Sequence, residues 1–538
     1  MMFSERSKFL WRFALLVTLL LATAALFAMQ PRRNAILIQQ HALGQFQGGK
    51  WLKRLTERLQ DGGDAAAISA PEVDADFASG FYPRPLRVAL ASDAGKAIHY
   101  TLDGSTPDAA SAIYNQPITI ERTAVLRFRS FSAAGAPGPV ELSSFVIGAD
   151  YALPVFSLVL DPVHLWNRHA GIYVNYKKRG AKWQRPAHVE YLEGRQGQAM
   201  RFPAEAGIHG NFTRESRKKS FQLSYSSSAL ERPDNGQLLK PETSAGKRAV
   251  VLRAAGIDVN YRLGHELFRS TYAAAGGLVP RSAAVMLLLN GTPWGVYHLQ
   301  SKIDKDYLRE RFGVGSYEIA EWPDHEPNPA SWRNLLELTA RLNLADDAEF
   351  RRIAQLIDIE NFTDYLLFNI FAGNYDWPHN NHLAFRKTDG SHPWRWLSWD
   401  SDAAFNAELG AEHRTLEWSV RERRRDDLAY GGVGRHQDED RYLASTQLMR
   451  SLLRNSDYRE RFYGRFKQLL VRDFAPAQLR ERFDRLVSEL EPHLGVDWAL
   501  WPRSRENFVD GVDAVRRFID NRPRHVRRQF QEYFGRTD

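Results

Sequence analysis

Asp376, Asn381, Asp400 and Asp402 fall within one short segment, NYDWPHNNHLAFRKTDGSHPWRWLSWDSDAAF, residues 374–405. Carboxylate and amide oxygens gathered at one point suit a hard divalent cation, Mg2+ or Mn2+, rather than zinc. A further carboxylate beside such an ion is placed to act as a general base. Taken singly, Asp376 and Asn381 also read as turn caps and Asp400 as the start of a loop, so it is their convergence that makes a site. His379 and His382 stand three apart with no third ligand near them, and a loop contact is a better reading than a zinc pair.

Two aromatic-rich runs, HLAFRK (382–387) and WRWLSW (394–399), would provide that convergence. They flank TDGSHP, whose Asp-Gly is a turn signal, so they predict an antiparallel hairpin. With His382 opposite Trp399, Asn381 and Asp400 emerge as neighbours, because paired strands lie about 5 Å apart. Asp376 enters that end of the hairpin and Asp402 leaves it. Upstream, NFTDYLLFNIFAG predicts a helix ending at Gly373, a residue suited to a left-handed cap. A second cluster, GIHGNFTRESRKKSFQLSY (207–225), runs from a turn with Gly207 and Gly210 through Arg214, Arg217, Lys218 and Lys219 into a strand. Such a turn offers donors to phosphate, or is simply a solvated basic turn.

A chain of 538 residues exceeds one ordinary core and predicts two or more domains. With 43% apolar and 25% charged residues it is globular, and a net charge of +8 spread among mixed signs gives no nucleic-acid stripe. The absence of cysteine excludes disulfides, thiolate metal sites and cysteine nucleophiles. Residues 13–29 carry no charge and follow Arg6, Lys8 and Arg12. They predict a membrane anchor over 1–30 with the bulk of the chain outside the cytoplasm, a cleaved secretion signal being the alternative. Residues 31–78 read as an amphipathic stalk and linker. Short strands and turn signals over 79–148 predict a small all-β sandwich. From 151 to 538 the chain reads as α+β, with LPVFSLVLD and AGIYVN as strands, a hairpin at Asn290-Gly291, and mostly helix from about 330. Residues 406–442 read as a long polar loop after the acids, either functional or a plain solvated insertion.

Two resemblances stand on these residues. IHYTLDGSTPDAASAIYNQPITI, from Ile98, resembles the chitobiase C-terminal-type module, which implies an accessory β-sandwich with glycan as a possible ligand. The order Asp376, Asn381 five residues on, a hairpin and then another aspartate is similar to the protein-kinase core. Together with LPVFSLVLDPVHLWNRHAGIYVN, VLRAAGIDVNYRLGHEL, GVYHLQSKID and VRRFIDNR, it resembles the CotH (spore-coat protein H) kinase family over nearly all of 151–535. That resemblance implies a divergent protein-kinase-like domain using ATP and Mg2+ or Mn2+ to phosphorylate protein hydroxyls on Ser or Thr. It implies Asp376 as the catalytic aspartate and Asn381 as a metal ligand, with Asp400, and after it Asp402, as the second metal ligand. Lys219 would contact the ATP phosphates, with Arg214, Lys218, Asn211 and Gly210 around it. Many relatives place a glutamate where this chain has Gln300 and Ser301, leaving Glu266 or Glu205 as other partners for Lys219. A non-catalytic envelope scaffold is the competing reading. Metal-dependent chemistry on a polysaccharide ranks third, because the basic cluster suits phosphate better than neutral sugar.

Overall fold

Alternating apolar side chains close a barrel in the middle of the chain. In Met200–His209, for example, Met200, Phe202, Ala204, Ala206 and Ile208 are buried while Pro203 and Glu205 are exposed, the two-residue period of a strand with one face on a core. The computed structural model describes residues 73–537 apart from 93–95, 195–199, 227–246, 256–262, 323–327, 379, 407–408 and 421–438. The expected anchor, the expected stalk and linker up to residue 72, and much of the polar loop 406–442 lie outside the described residues. Among those described, no helix is long and apolar enough to cross a membrane.

The barrel strands are β1 (Val155–Val159), β2 (Arg185–Leu192), β3 (Met200–His209), β4 (Ser220–Ser226), β5 (Lys247–Arg253), β6 (Ser282–Leu289) and β7 (Thr292–Ser301). Their order is β1-β2-β3-β4-β5-β7-β6, closed by parallel pairing of β1 with β6. Phe156, Leu158, Phe221, Leu252, Leu287 and Leu299 fill the interior. Asn290 and Gly291 both have positive φ, 49° and 75°, and make the tight hairpin turn expected between β6 and β7. AGIYVN, however, is not a strand. Its backbone folds back on the short helix Pro162–Trp166, with Ile172 N–H donating to His164 O and Tyr173 N–H to Leu165 O. Gly171 permits this, since a Cβ there would lie 2.5 Å from Leu165 O.

The barrel packs on a helical half that includes α1 (Leu263–Ala274), α2 (Ile359–Phe371), α3 (Gly495–Leu500) and α4 (Arg505–Phe534). A three-stranded sheet completes it, β8 (Tyr317–Trp322), β9 (His382–Lys387) and β10 (Arg395–Trp396) in that order. The mixed α and β class expected from the sequence is therefore present. So is the N-terminal β-rich unit, whose core includes Val88, Leu126, Phe128 and Phe145. Its first strand, Val73–Ala75, already pairs with Leu90–Ser92, ahead of the expected start at 79.

That β-rich unit is locked to the barrel. Asn290 donates through Nδ2 to Asp103 O (3.1 Å) and accepts from Leu160 N–H through Oδ1 (2.9 Å). A Cβ on Gly104 would meet Asn290 Cγ at 2.4 Å. Buried Ser144 and Ser157 share a 2.8 Å hydrogen bond, and Ser79 donates to Glu190 at 2.8 Å. The Asp103–Gly104 turn thus faces the barrel.

One arginine braces the helical half. Buried Arg522 of α4 donates to Phe371 O (2.8 Å) and Ile370 O (2.7 Å) at the end of α2. It also donates to Ala411 O and His413 O, both at 2.7 Å. A cation at a helix C-terminus complements its dipole, although burial pushes Arg522 down to about 9. Arg522→Met leaves several buried carbonyls without this donor, at about 1–3 kcal/mol each. A loss of at least about 3 kcal/mol in urea denaturation is expected, and Lys, lacking the planar fork, should not restore it.

Candidate active site

Helix α2 organises the site from its C-terminal end. Ala372 closes the helix and Gly373 takes φ +63°, the left-handed cap expected from the sequence. The chain then turns into the loop bearing Asp376, where buried Trp377 donates to Tyr365 Oη on α2 (3.0 Å) and accepts from Trp418 Nε1 (3.0 Å). The segment after the other acids returns to the same place, since Phe405 N–H donates to Ala372 O at 2.7 Å. At the other end of α2, Asn361 holds β10 by accepting from Trp396 N–H (2.6 Å) and donating to Trp396 O (3.1 Å).

The hairpin forms with a register one residue from that expected. Ala384 faces Trp396 and Phe385 faces Arg395, so the ladder runs toward His382 opposite Ser398 rather than Trp399. Pairing stops early because Ser398 N–H turns away to Leu278 O. His382 is a core residue whose Nε2 accepts from Trp396 Nε1 at 2.8 Å, with burial pushing it down to about 3.

The acids nevertheless gather. Asp376 accepts from Asn380 Nδ2 at 3.0 Å and from Asn381 Nδ2 at 2.8 Å. Burial first, then the charges of Asp400 and Asp402, push its carboxyl up to about 6 against the lowering effect of the two amides. Arg253, the last residue of β5, donates to Asp400 Oδ1 at 2.7 Å and to Asp402 Oδ2 at 3.3 Å. Burial disfavours that guanidinium charge, and the two carboxylates outweigh it, so its pKa rises. His265 of α1 places Nδ1 3.6 Å from Asp402 Oδ1, and the three residues offer atoms within 4.8 Å of one another. His265 Nδ1, however, accepts from Ser401 N–H (3.1 Å), which occupies its one lone pair. Within that group it is the carboxylate oxygens of Asp400 and Asp402 that could hold a hard divalent ion, while His265 positions the backbone between the two aspartates.

The basic turn is built differently from the expectation. Lys219 donates to Arg214 O (2.8 Å) and Ser216 O (2.9 Å) and lies 3.9 Å from the Tyr176 ring centroid. The acid whose charge it feels is Glu215. Arg214 is buried and donates to Gly210 O and Tyr176 O, both at 2.6 Å. Asn211 accepts from Arg179 (2.7 Å), and Gly210 has φ +100° where a Cβ would strike Thr213 Oγ1 at 2.2 Å. Lys218 points to the opposite side and forms a buried ion pair with Asp497 of α3 (2.5 Å). These five residues brace the turn or its neighbours, and the hydrogen bonds that hold them run within the loop, to residues 176–179, to β7 and to α3.

Residues 206–526, more than half of the chain, match the CotH kinase protein family. The chain belongs to the CotH kinase family. Residues 77–141 match the chitobiase/beta-hexosaminidase C-terminal domain. No curated protein matches the chain.

In this CotH kinase domain, the cation that meets the acids, Arg253, comes from the barrel's outer face. His209, Gln222, Arg253 and His298 share that face through the registers His209–Ser220, Gln222–Val251 and Arg253–His298. Burial, then the charges of Arg253, Lys302 and Arg214, push His209 down to about 3, keeping it neutral. Gln300 of β7 donates to Trp399 O at 3.2 Å, directly before Asp400. Glu266 is not a partner of Lys219. It accepts from Arg269 (2.6 Å) and Ser282 (2.8 Å), with His298 3.5 Å away. Glu205 is exposed on β3. Arg253 ends the strand KRAVVLR with no motif of its own, so the sequence alone does not mark it as part of a site. Its local signal is the step from strand to the glycine-containing AAG.

Two outcomes follow from these geometries. Lys218→Met leaves Asp497 buried without its cation and should cost about 3–5 kcal/mol in urea denaturation. Adding Asp497→Asn, which can still accept from Val296 N–H (2.7 Å), should recover most of it. Asp376 titrates higher folded than its ordinary 3.8, so its contribution is present below pH 3.8 and lost as pH rises through about 6. In metal-free protein, Asp376→Asn should gain on the order of 2–3 kcal/mol relative to the parent between acid and neutral pH, less about 1 kcal/mol for one lost amide hydrogen bond. Thermal melts across that range check it.

Proposed function

We propose that the protein is a metal-dependent protein kinase that transfers the ATP γ-phosphoryl group to a Ser or Thr hydroxyl of an envelope or surface protein. The observation that carries this reading is Asp376. It is a carboxyl held near neutrality beside two further aspartates, with asparagines on both of its oxygens. A base poised near the working pH is suited to accept a hydroxyl proton. As the hydroxyl oxygen bonds to the γ-phosphorus, the bond to the ADP oxygen breaks and the proton goes to Asp376. Asp400, Asp402 and the Asn381 oxygen would hold Mg2+ or Mn2+, which when bound neutralises phosphate charge. Arg253, paired with Asp400 and Asp402, would turn toward phosphate. Residues 13–29 would anchor the chain with its bulk outside the cytoplasm.

A second reading is a non-catalytic scaffold that keeps the fold. Lys218 and Lys219 bound within the protein favour it, as does glutamine at 300 where the resembling family carries a glutamate nearby. In that reading the β-rich unit would bind glycan on surfaces other than the Asp103–Gly104 turn.

Thermal melts with ATP, with and without Mg2+, separate the two. Ligand at 100 times its Kd should add about 2.7 kcal/mol. The kinase reading expects a metal-dependent gain that disappears in Asp400→Ala, and radiolabel transfer that disappears in Asp376→Ala. No gain under any condition supports the scaffold.

A further inference from the structure

The barrel rim formed by residues 162–185 and the β3–β4 turn carries a surface that the phosphoryl-transfer site does not use. Between Pro162 and Val189 there are six Lys or Arg and no Asp or Glu. Five of these six (Arg168, Lys177, Lys178, Arg179 and Lys182) are exposed, as is Arg217 of the turn. The acid of the turn, Glu215, meets Lys177 at 3.1 Å in an exposed, screened pair. Large apolar side chains stand among these cations. Val163 is 45% exposed, Trp166 44%, Val174 48% and Phe212 72%, four of the ten such residues exposed among those described.

The two segments form one continuous, braced surface. Tyr173 Oη donates to Arg217 O (2.6 Å), Arg179 donates to Asn211 (2.7 Å), and Arg214 reaches Tyr176 O (2.6 Å). Trp166 packs on Tyr173 and Trp294, with centroids 4.9 and 6.1 Å apart. Buried Arg214 and Lys219 therefore hold in place a surface whose outer side chains are bulky apolar groups ringed by cations. An acidic peptide would complement the charge but would leave four protruding apolar side chains in water. An anionic bilayer complements both, because cations lie at headgroups while Trp, Phe and Val enter the acyl boundary.

We propose that this rim docks on a membrane surface rich in anionic lipid, seating Phe212, Val174, Val163 and Trp166 among the headgroups. The β3–β4 turn and the Arg253 end of β5 lie at the same end of the barrel. Docking would thus hold the Arg253–Asp400 site beside the bilayer, independently of the stretch 13–29.

The chain has no cysteine, so Val174→Cys gives a single attachment point for an environment-sensitive NBD label. The full chain is mixed with vesicles of phosphatidylcholine alone or with added phosphatidylglycerol, and separately with polyglutamate. The expected result is an NBD blue shift on phosphatidylglycerol vesicles, weakened by salt. Its apparent affinity should fall on the order of 100-fold when Lys177, Lys178 and Arg179 are all changed to Gln, at about one kcal/mol per cation. An unchanged melting temperature shows that the triple variant is folded. Equal shifts on neutral and anionic vesicles would overturn the proposal and assign the contact to the N-terminal stretch. A shift with polyglutamate but not with vesicles would overturn it in favour of an acidic polymer, and no shift at all would also overturn it.

Discussion

The pairing of one buried guanidinium with two aspartates sets the terms for this protein. The charges of Asp400 and Asp402 raise the cost of ionising Asp376, and Arg253 pairs with both of them. A buried charge is tolerated only when paired, so β5 must end where the Asp400 loop begins. The barrel and the helical half cannot separate without exposing or stranding those charges. In the proposed function, a divalent ion would compete for oxygens that an internal guanidinium already satisfies.

Rigidity around the cluster comes from the end of α2. That single helix terminus launches the Asp376 loop, receives the chain after Asp402 through Phe405, and is capped by Arg522 from 151 residues away. Trp377 and Asn361 fix the two sides of the same helix to the loop and to β10. Precise placement of reacting groups needs such support, because small misplacements are costly in rate. The β-rich unit adds a further clamp through Asn290, which places it within the architecture of the CotH kinase domain and not on a free tether.

Much of this was readable from local rules. Asn290-Gly291 and Gly373 specify their backbone turns directly, and Asp-Gly between aromatic runs specified a hairpin. The spacing of Asp376 and Asn381 pointed to acids that do meet. What sequence withheld depends on distant partners. The six residues between the aromatic runs do not fix register, which is one residue from that expected, and Ser398 leaves the ladder for Leu278, 120 positions back in the chain. Lys218 and Lys219 sit side by side in sequence but diverge, one to Asp497 279 residues on, the other to its own loop. Arg253 pairs with Asp400 147 residues away, which no local pattern announces. AGIYVN alternates like a strand, yet the close backbone approach at Gly171 gives it a turn instead.

The central claim is that Asp400, Asp402 and Asn381 share a cation position now balanced by Arg253. Anomalous diffraction from crystals grown with Mn2+ and a non-hydrolysable ATP analogue tests it most directly. The account predicts a manganese peak among those three side chains, with Arg253 turned from Asp400 toward phosphate. A peak elsewhere, or nucleotide bound with the Arg253–Asp400 pair intact and no metal between the acids, would contradict it.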